Sequence, residues 1–295
     1  MTYALTNSGS MKTTGAEASV TGRIINKSSI KWDLGFTIAH YKSTIISLPN
    51  SSIMTNYAGG TILTSVGNGP NLFYGFKAVG VYGSDAEATA AGLGVLQANG
   101  SILPFKGGDL RFEDLNGDKI IDDKDRKIIG DPNPDFFGSI TNRVEWKRFA
   151  LETLFTFSQG NDVYNYTRRQ LESELNYNNQ TLAVLNRWRN NGQVTNIPRA
   201  SFGDPTGNSR FSDRWIEDGS YLRLRTVSLS YNLPFRAGFL RYSVLYVTGN
   251  NLFTLTNYLG FDPEFSATPN VLGQGVDITS QPQFRSIQAG LRIGL

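Results

Sequence analysis

A chain of 295 residues with 39% hydrophobic and 18% charged side chains has the balance of an ordinary folded protein, long enough for one large or two ordinary domains. The net charge of +3, with no clustered basic stripe, argues against a nucleic-acid partner, and the lack of cysteine excludes thiolate catalysis, disulfides and cysteine-bound zinc. No run approaches ~20 consecutive apolar residues, which excludes a membrane-crossing helix but not a barrel, whose strands need only about 9 to 11 alternating residues.

The first twenty residues, MTYALTNSGSMKTTGAEASV, lack the charged start, apolar core and small-residue cleavage site of a signal peptide. Alternation then begins. Ala18, Val20, Gly22 and Ile24 oppose Glu17, Ser19, Thr21 and Arg23. After the polar turn Asn26-Lys27-Ser28-Ser29, residues Trp32, Leu34, Phe36, Ile38 and His40 oppose Asp33, Gly35, Thr37, Ala39 and Tyr41. Two strands are expected at 61 to 67 and 72 to 83, joined at Asn68-Gly69-Pro70-Asn71, and a short helix at 84 to 91. Strands at 136 to 146 and 149 to 157 meet through Lys147-Arg148; in the latter Phe149, Leu151, Phe155 and Phe157 face away from Glu152, Thr156 and Ser158. Short helices are expected near 164 to 175 and 182 to 190. In the strand at 221 to 231 the apolar phase slips from Leu222 and Leu224 to Val227, Leu229 and Tyr231, which predicts a bulge or a strand that changes environment along its length. Strands at 241 to 252 and 283 to 295 complete a count of nine.

Short connections at 26 to 29, 68 to 71, 147 to 148 and 232 to 239 contrast with long ones at 47 to 60, 84 to 135, 159 to 220 and 254 to 282. Connections of thirty to sixty residues are unusual within a compact domain. Short turns at one end and long loops at the other are the pattern of outer-membrane barrels. The fold class expected is all-β: an antiparallel transmembrane barrel segment of about nine strands, with long loops carrying short helices. An odd count fits part of a barrel, since single-chain bacterial barrels close on an even number.

Between 114 and 125 lies an acidic loop with the spacing of a calcium site. Asp114, Asn116, Asp118, Asp122 and Asp125 fall at relative positions 1, 3, 5, 9 and 12, with the Ile120 carbonyl at position 7. Calcium takes six or more oxygens, and a close run of carboxylates repels itself unless a cation neutralises it. Lys119 stands at position 6 where glycine is usual, and Asp125 where a bidentate glutamate is usual; a solvated acidic turn is the alternative. Catalysis has little to work with. The sole histidine, His40, falls on an apolar strand face, and Glu172 and Glu174, two apart on a helix, do not face each other as an acid–base pair would. Loop aromatics Tyr57, Tyr164, Tyr166, Tyr177, Trp188 and Trp215 are candidates for stacking on sugar rings or for loop packing. Trp32 and Trp146 flank short turns, as in an interfacial girdle, and Glu152, Arg223 and Arg225 are expected to line a lumen.

Five ordered stretches carry a resemblance: GDLRFEDLNGDKIIDDKDRKIIGDPNPDFFG (108 to 138), FSQGNDVYNYTRRQLE (157 to 172), RWIEDGSYLRLRTVSLSYNLP (214 to 234), VTGNNLFTLTNYLGFDPE (247 to 264) and RSIQAGLRIGL (285 to 295). In them the chain resembles the C-terminal barrel portion of the SusC/RagA family of TonB-dependent outer-membrane transporters. The resemblance implies a place in a barrel of about 22 strands. It also implies import of glycans or peptides across the outer membrane, a SusD-like lipoprotein lid, and energy from the TonB complex through a plug. Nothing in 1 to 295 matches that family's signal peptide, accessory domain, TonB-contacting segment or plug, so the whole chain is expected to be a barrel fragment inactive alone. The family ends in an aromatic residue where this chain has Leu295, although Ile287, Ala289, Leu291, Ile293 and Leu295 alternate as a lipid-facing closing strand should. Two rival readings are a soluble all-β carbohydrate-binding or adhesin module with a calcium-stabilised loop, and a glycoside hydrolase.

Overall fold

The computed structural model describes residues 8–234, 241–264 and 273–294. Two long strands, β1 (Ser10–Asn26) and β2 (Ile30–Ser47), open the chain. A long excursion follows with β3 (Ser52–Tyr57), β4 (Gly60–Ser65), β5 (Leu72–Phe76), β6 (Ala78–Val81), α1 (Asp85–Ala91), β7 (Gly94–Leu96), β8 (Ile102–Pro104), β9 (Leu110–Phe112) and β10 (Arg126–Gly130). Then come β11 (Phe136–Trp146) and β12 (Phe149–Gln159), and a second excursion holding β13 (Asp162–Asn165), α2 (Tyr166–Glu172) and β14 (Ile216–Asp218). The remaining strands are β15 (Tyr221–Asn232), β16 (Tyr242–Thr256), β17 (Val276–Asp277) and β18 (Ser286–Gly294).

Seven strands form one antiparallel wall in the order β1-β2-β11-β12-β15-β16-β18, which is also their order along the chain. Every second connection is short in sequence, after β1, β11 and β15; those after β2, β12 and β16 are the three long loops, all at the opposite end. Among the described residues β1 and β18 are the two open edges of the sheet. The expected count of nine is corrected to seven. Segment 61 to 67 becomes β4, and segment 72 to 83 splits into β5 and β6, which join separate small sheets within the first long loop. Ile62, Leu63, Leu72, Phe73 and Phe76 of these segments are buried. A wall strand keeps one polar side, whereas these two lie inside a packed loop cluster, and the two-residue period does not separate the cases.

The wall has two chemically distinct faces, because directly paired residues of antiparallel strands point the same way. On one side one register row runs Val20, Phe36, Ile140, Phe155, Leu224 and Phe253 across six strands. A second runs Leu151, Leu229, Val247 and Ala289, continuing the same surface to β18. Along the other side lie Thr37, Ser139, Thr156, Arg223 and Thr254. Leu222, Leu224, Val227, Leu229 and Tyr231 all reach the apolar face because the expected bulge occurs at Arg225, between Leu224 and Thr226. A second bulge lets Ile25, rather than Ile24, pair with Trp32. Leu295 lies outside the described residues.

The buried core sits in the loops, not in the wall. One cluster gathers Phe76, Tyr82, Phe105, Leu110, Phe112 and Ile121 from the first loop. Another joins Ile62 and Phe73 of the first loop, Tyr164, Phe211 and Trp215 of the second, and Val276 of the third. Helix α1 begins as predicted, with the Ser84 hydroxyl accepting the Glu87 amide at 3.2 Å, and ends on left-handed Gly92. The helix expected at 164 to 175 is shortened to α2 because Tyr164 and Asn165 pair in β13, and that at 182 to 190 is a 3-10 turn over Leu182–Asn186.

Candidate functional site

The polar face of the wall is laced by charged pairs within and between strands. Arg23 Nε donates to Asp33 at 2.7 Å, Arg143 binds both Glu145 (2.7 Å) and Glu152, and Lys31 stands 3.8 Å from Glu145. Further along, the hydroxyls of Thr37 and Ser139, and those of Ser228 and Thr248, meet at 2.8 Å. At the bulge in β15, Arg223 is almost fully buried; it donates to Thr254 Oγ1 and Glu264 Oε2, each at 2.9 Å, and to Asp262. Arg225 reaches Glu264 and, at 2.6 Å, Gln283. Two guanidiniums on the wall thus hold the third long loop against the polar face, a charge-assisted anchorage that four ordinary hydroxyls would not give.

Three polar side chains on the apolar face, Trp32, Asn142 and Thr153, are bonded to one another. Trp32 Nε1 donates to Asn142 Oδ1 at 2.7 Å, and the Asn142 amide reaches Thr153 Oγ1 at 3.4 Å, which satisfies the indole and amide donors within the sheet. At the short-turn end Trp146 stacks on Phe149, and Phe149 meets Tyr231 with ring centroids 4.6 Å apart. An aromatic band at one rim is what an interface between hydrocarbon and water selects.

The long loops are tied by a buried carboxylate. Asp109, fully buried, accepts from Arg199 Nε (2.8 Å), Thr206 Oγ1 (3.1 Å), Asn208 Nδ2 (3.1 Å) and the Lys106 amide (2.8 Å). This links the first loop to the second across some ninety residues of chain. The second loop is braced around Trp215, whose ring lies between the guanidiniums of Arg168 (5.4 Å) and Arg214 (4.7 Å). Arg168 also pairs with Glu217 at 2.6 Å. Sequence reasoning missed these nodes: a single Asp, Arg or Asn in a polar loop gives no local sign of its distant partner.

The acidic loop follows the backbone course of a calcium loop while its oxygens close on the loop itself. Lys119, at the position where glycine is usual, adopts φ of 65°, the left-handed turn that position requires. Asp114 accepts the Gly117 and Lys119 amides at 2.8 and 3.0 Å, Asn116 the Asp118 amide at 2.9 Å, and Asp118 the Ile120 amide at 2.9 Å. Asp122 and Asp125 form a reciprocal capping box around a 3-10 turn, with Asp125 fully buried. Lys124 Nζ stands 3.6 Å from Asp118 and 3.8 Å from Asp122, in the place a shared cation would occupy. The Asp118 carboxyl is held below the usual aspartate range, first by the Ile120 amide and then by Asn116. The donors suit calcium in kind and order, yet no three acidic or histidine side chains among the described residues converge on one point.

Other candidates resolve simply. The His40 ring meets the Asp135 carbonyl, a backbone tie. Glu172 accepts from Thr181 at 3.0 Å, while Glu174 lies buried beside Arg187 at 3.6 Å, so the two serve different partners. Burial raises the Glu174 carboxyl above the usual range, with Arg187 opposing. Tyr164 and Trp215 belong to the loop core, Tyr57 and Tyr166 pack against it, and Trp188 donates to the Gly83 carbonyl at 3.1 Å. Tyr177 remains exposed, paired with exposed Phe202 at 5.1 Å.

No protein-family model matches the chain. It is 33% identical over 308 residues to TonB-dependent receptor P3 of Formosa agariphila, an alignment covering 97% of this chain and 29% of that receptor. It is 25% identical over 292 residues to the TonB-dependent receptor SusC of Bacteroides thetaiotaomicron, covering 97% and 27%. The chain therefore spans under a third of the length of these curated relatives. A solved structure of the RagAB peptide transporter superposes on 97% of the chain and 29% of its own with a TM-score of 0.76, and the closed-closed state of the RagAB peptide importer on 97% and 30% with 0.72; both are 22% identical and attest to the fold. With an alternating seven-stranded wall, long loops at one end and relatives of this kind along nearly all of its length, the chain is similar to TonB-dependent receptors of the SusC kind and has the fold of a stretch of the RagAB barrel wall and its loops.

Proposed function

We propose that, within an intact receptor, this chain forms part of the wall of an outer-membrane importer that takes up glycans or peptides. The apolar face meets lipid, the polar face lines the lumen, and the three long loops project outward. One observation carries the reading: a predominantly apolar face runs across all seven strands, backed by a polar face, with every long loop at one end. A soluble adhesin or binding module would leave that face in water, far beyond the apolar patches monomers tolerate. The edges β1 and β18 would pair with further wall strands, since unpaired backbone groups in lipid cost several kcal/mol each. A SusD-like lipoprotein would cover the loop end, and the TonB complex would act through a plug. The acidic loop would bind calcium through Asp114, Asn116, Asp118, Asp122, Asp125 and the Ile120 carbonyl, displacing Lys124 and fixing the first loop ahead of β11.

Single cysteines introduced into the intact receptor test the orientation, this chain having none of its own. A membrane-impermeant maleimide should label Cys at position 37 and spare position 36, and TonB-dependent uptake of a fluorescent oligosaccharide or peptide should be measurable in the same cells. Equal labelling at the two positions rejects the lipid-facing wall, and uptake that persists without TonB rejects the transport mechanism.

A further inference from the structure

A cavity of about 430 Å³ opens among the loops where the first, second and third meet, within the size range of small-molecule sites. Its apolar lining includes Leu110, Ile197 and Leu259, and its charged lining is Arg168, Glu172, Asp213 and Arg214. Three of these four charges are already engaged. Asp213 accepts the Ala78 amide at 2.8 Å and pairs with Lys77; Glu172 is bonded to Thr181 and stands 3.6 Å from Arg168; Arg168 binds Glu217 and the Arg214 carbonyl. Arg214 differs. Among the described residues its guanidinium makes neither a hydrogen bond nor an ion pair; its one contact of note is the Trp215 ring, whose centroid lies 4.7 Å away. Burial, and then Arg168, push its pKa down to about 10, while Glu172, Glu174 and Asp204 act on it from beyond pairing distance.

We propose that this cavity is a carboxylate subsite, in which Arg214 presents two N–H donors to a singly charged carboxylate while Leu110, Ile197 and Leu259 take the apolar part of the ligand. A planar guanidinium anchored on an aromatic ring matches the two oxygens of a carboxylate. A doubly charged phosphate would face Glu172 and Asp213 as well and be repelled. The inference rests on the importer reading, since it concerns the cargo such a receptor selects. That carboxylate has two sources in glycan or peptide cargo, a uronic sugar or an acidic residue.

Calorimetry on the purified intact receptor decides, with trigalacturonate and its methyl ester in one arm, and acetyl-Ala-Glu-Ala-amide and its glutamine analogue in the other. The acid should bind in at least one arm, at least about tenfold more tightly than its neutral partner, and Arg214→Met should abolish that preference. Arg214→Lys, which keeps charge but loses the paired donors, should retain only part of it. Binding in the sugar arm alone assigns a uronate, in the peptide arm alone an acidic peptide, and in both a carboxylate of either origin. Equal affinity for acid and neutral probes, no binding of either acid, or an acid preference unchanged in Arg214→Met overturns the proposal. The acid–neutral comparison on the unmodified receptor stands even if the methionine variant fails to assemble. Binding is read without transport, so its failure leaves the cysteine-labelling result intact, and the reverse.

Discussion

Replacing Phe36 by Arg probes the wall most directly. Phe36 lies on the apolar face, paired in register with Val20 and Ile140, and its ring stacks near that of Phe157 with centroids 6.1 Å apart. An arginine near the bilayer midplane of a barrel costs about 2 to 4 kcal/mol, and the lost aromatic pair adds about 0.5 to 1.5 kcal/mol. The expected total is about 3 to 5 kcal/mol. One residue on, Thr37 points to the polar face, exposed, with its hydroxyl bonded to Ser139 at 2.8 Å. Thr37→Arg forfeits that bond, about 1 kcal/mol, and leaves the guanidinium in water. Thr156 is a poorer control, because it pairs in register with Arg223 and a new arginine there would meet a like charge. Reversible guanidinium unfolding of the intact receptor in vesicles should therefore separate Phe36→Arg from Thr37→Arg by at least about 2 kcal/mol. Equal losses, or a greater loss for Thr37→Arg, would refute the assignment of faces.

Asp109→Ala should strand Arg199 and cost the loop assembly about 3 kcal/mol, read as faster proteolysis of the first and second loops while hydrogen exchange in the wall strands stays unchanged. Asp114→Ala combined with Asp118→Ala should abolish calcium binding by the intact receptor and raise exchange in 114 to 125; a receptor with no calcium-dependent heat for the double variant to remove leaves a solvated acidic turn instead. The raised Glu174 carboxyl gives a definite sign: the folded state binds the proton more tightly than the unfolded, so local stability is greatest below the usual glutamate range and falls as pH rises through the raised value. Exchange protection around α2 should decline from about pH 4 upward, and Glu174→Gln should flatten that profile.

The wall was legible in the sequence because its physics is local. A strand between lipid and water must alternate with period two, so Phe36 and Thr37, or Phe155 and Thr156, declare their faces without reference to any other segment. The bulge at Arg225 was legible for the same reason, as a slip in that period, and α1 as the short helix at 84 to 91. Alternation misled at 61 to 83, where Ile62 and Phe73 obey the same period but pack into a loop core, and only the pairing of β4 and β5 with β3 and β10 separates them from the wall. The loop nodes had no local signature at all. Asp109 meets Arg199, and Arg223 meets Asp262, only after the chain has closed three long excursions onto one another. Arg214 likewise stands in the sequence as one arginine beside a tryptophan. That its neighbours are already paired while it is not, among the described residues, follows from where the other charges have gone, a property of the packed assembly rather than of any stretch of chain.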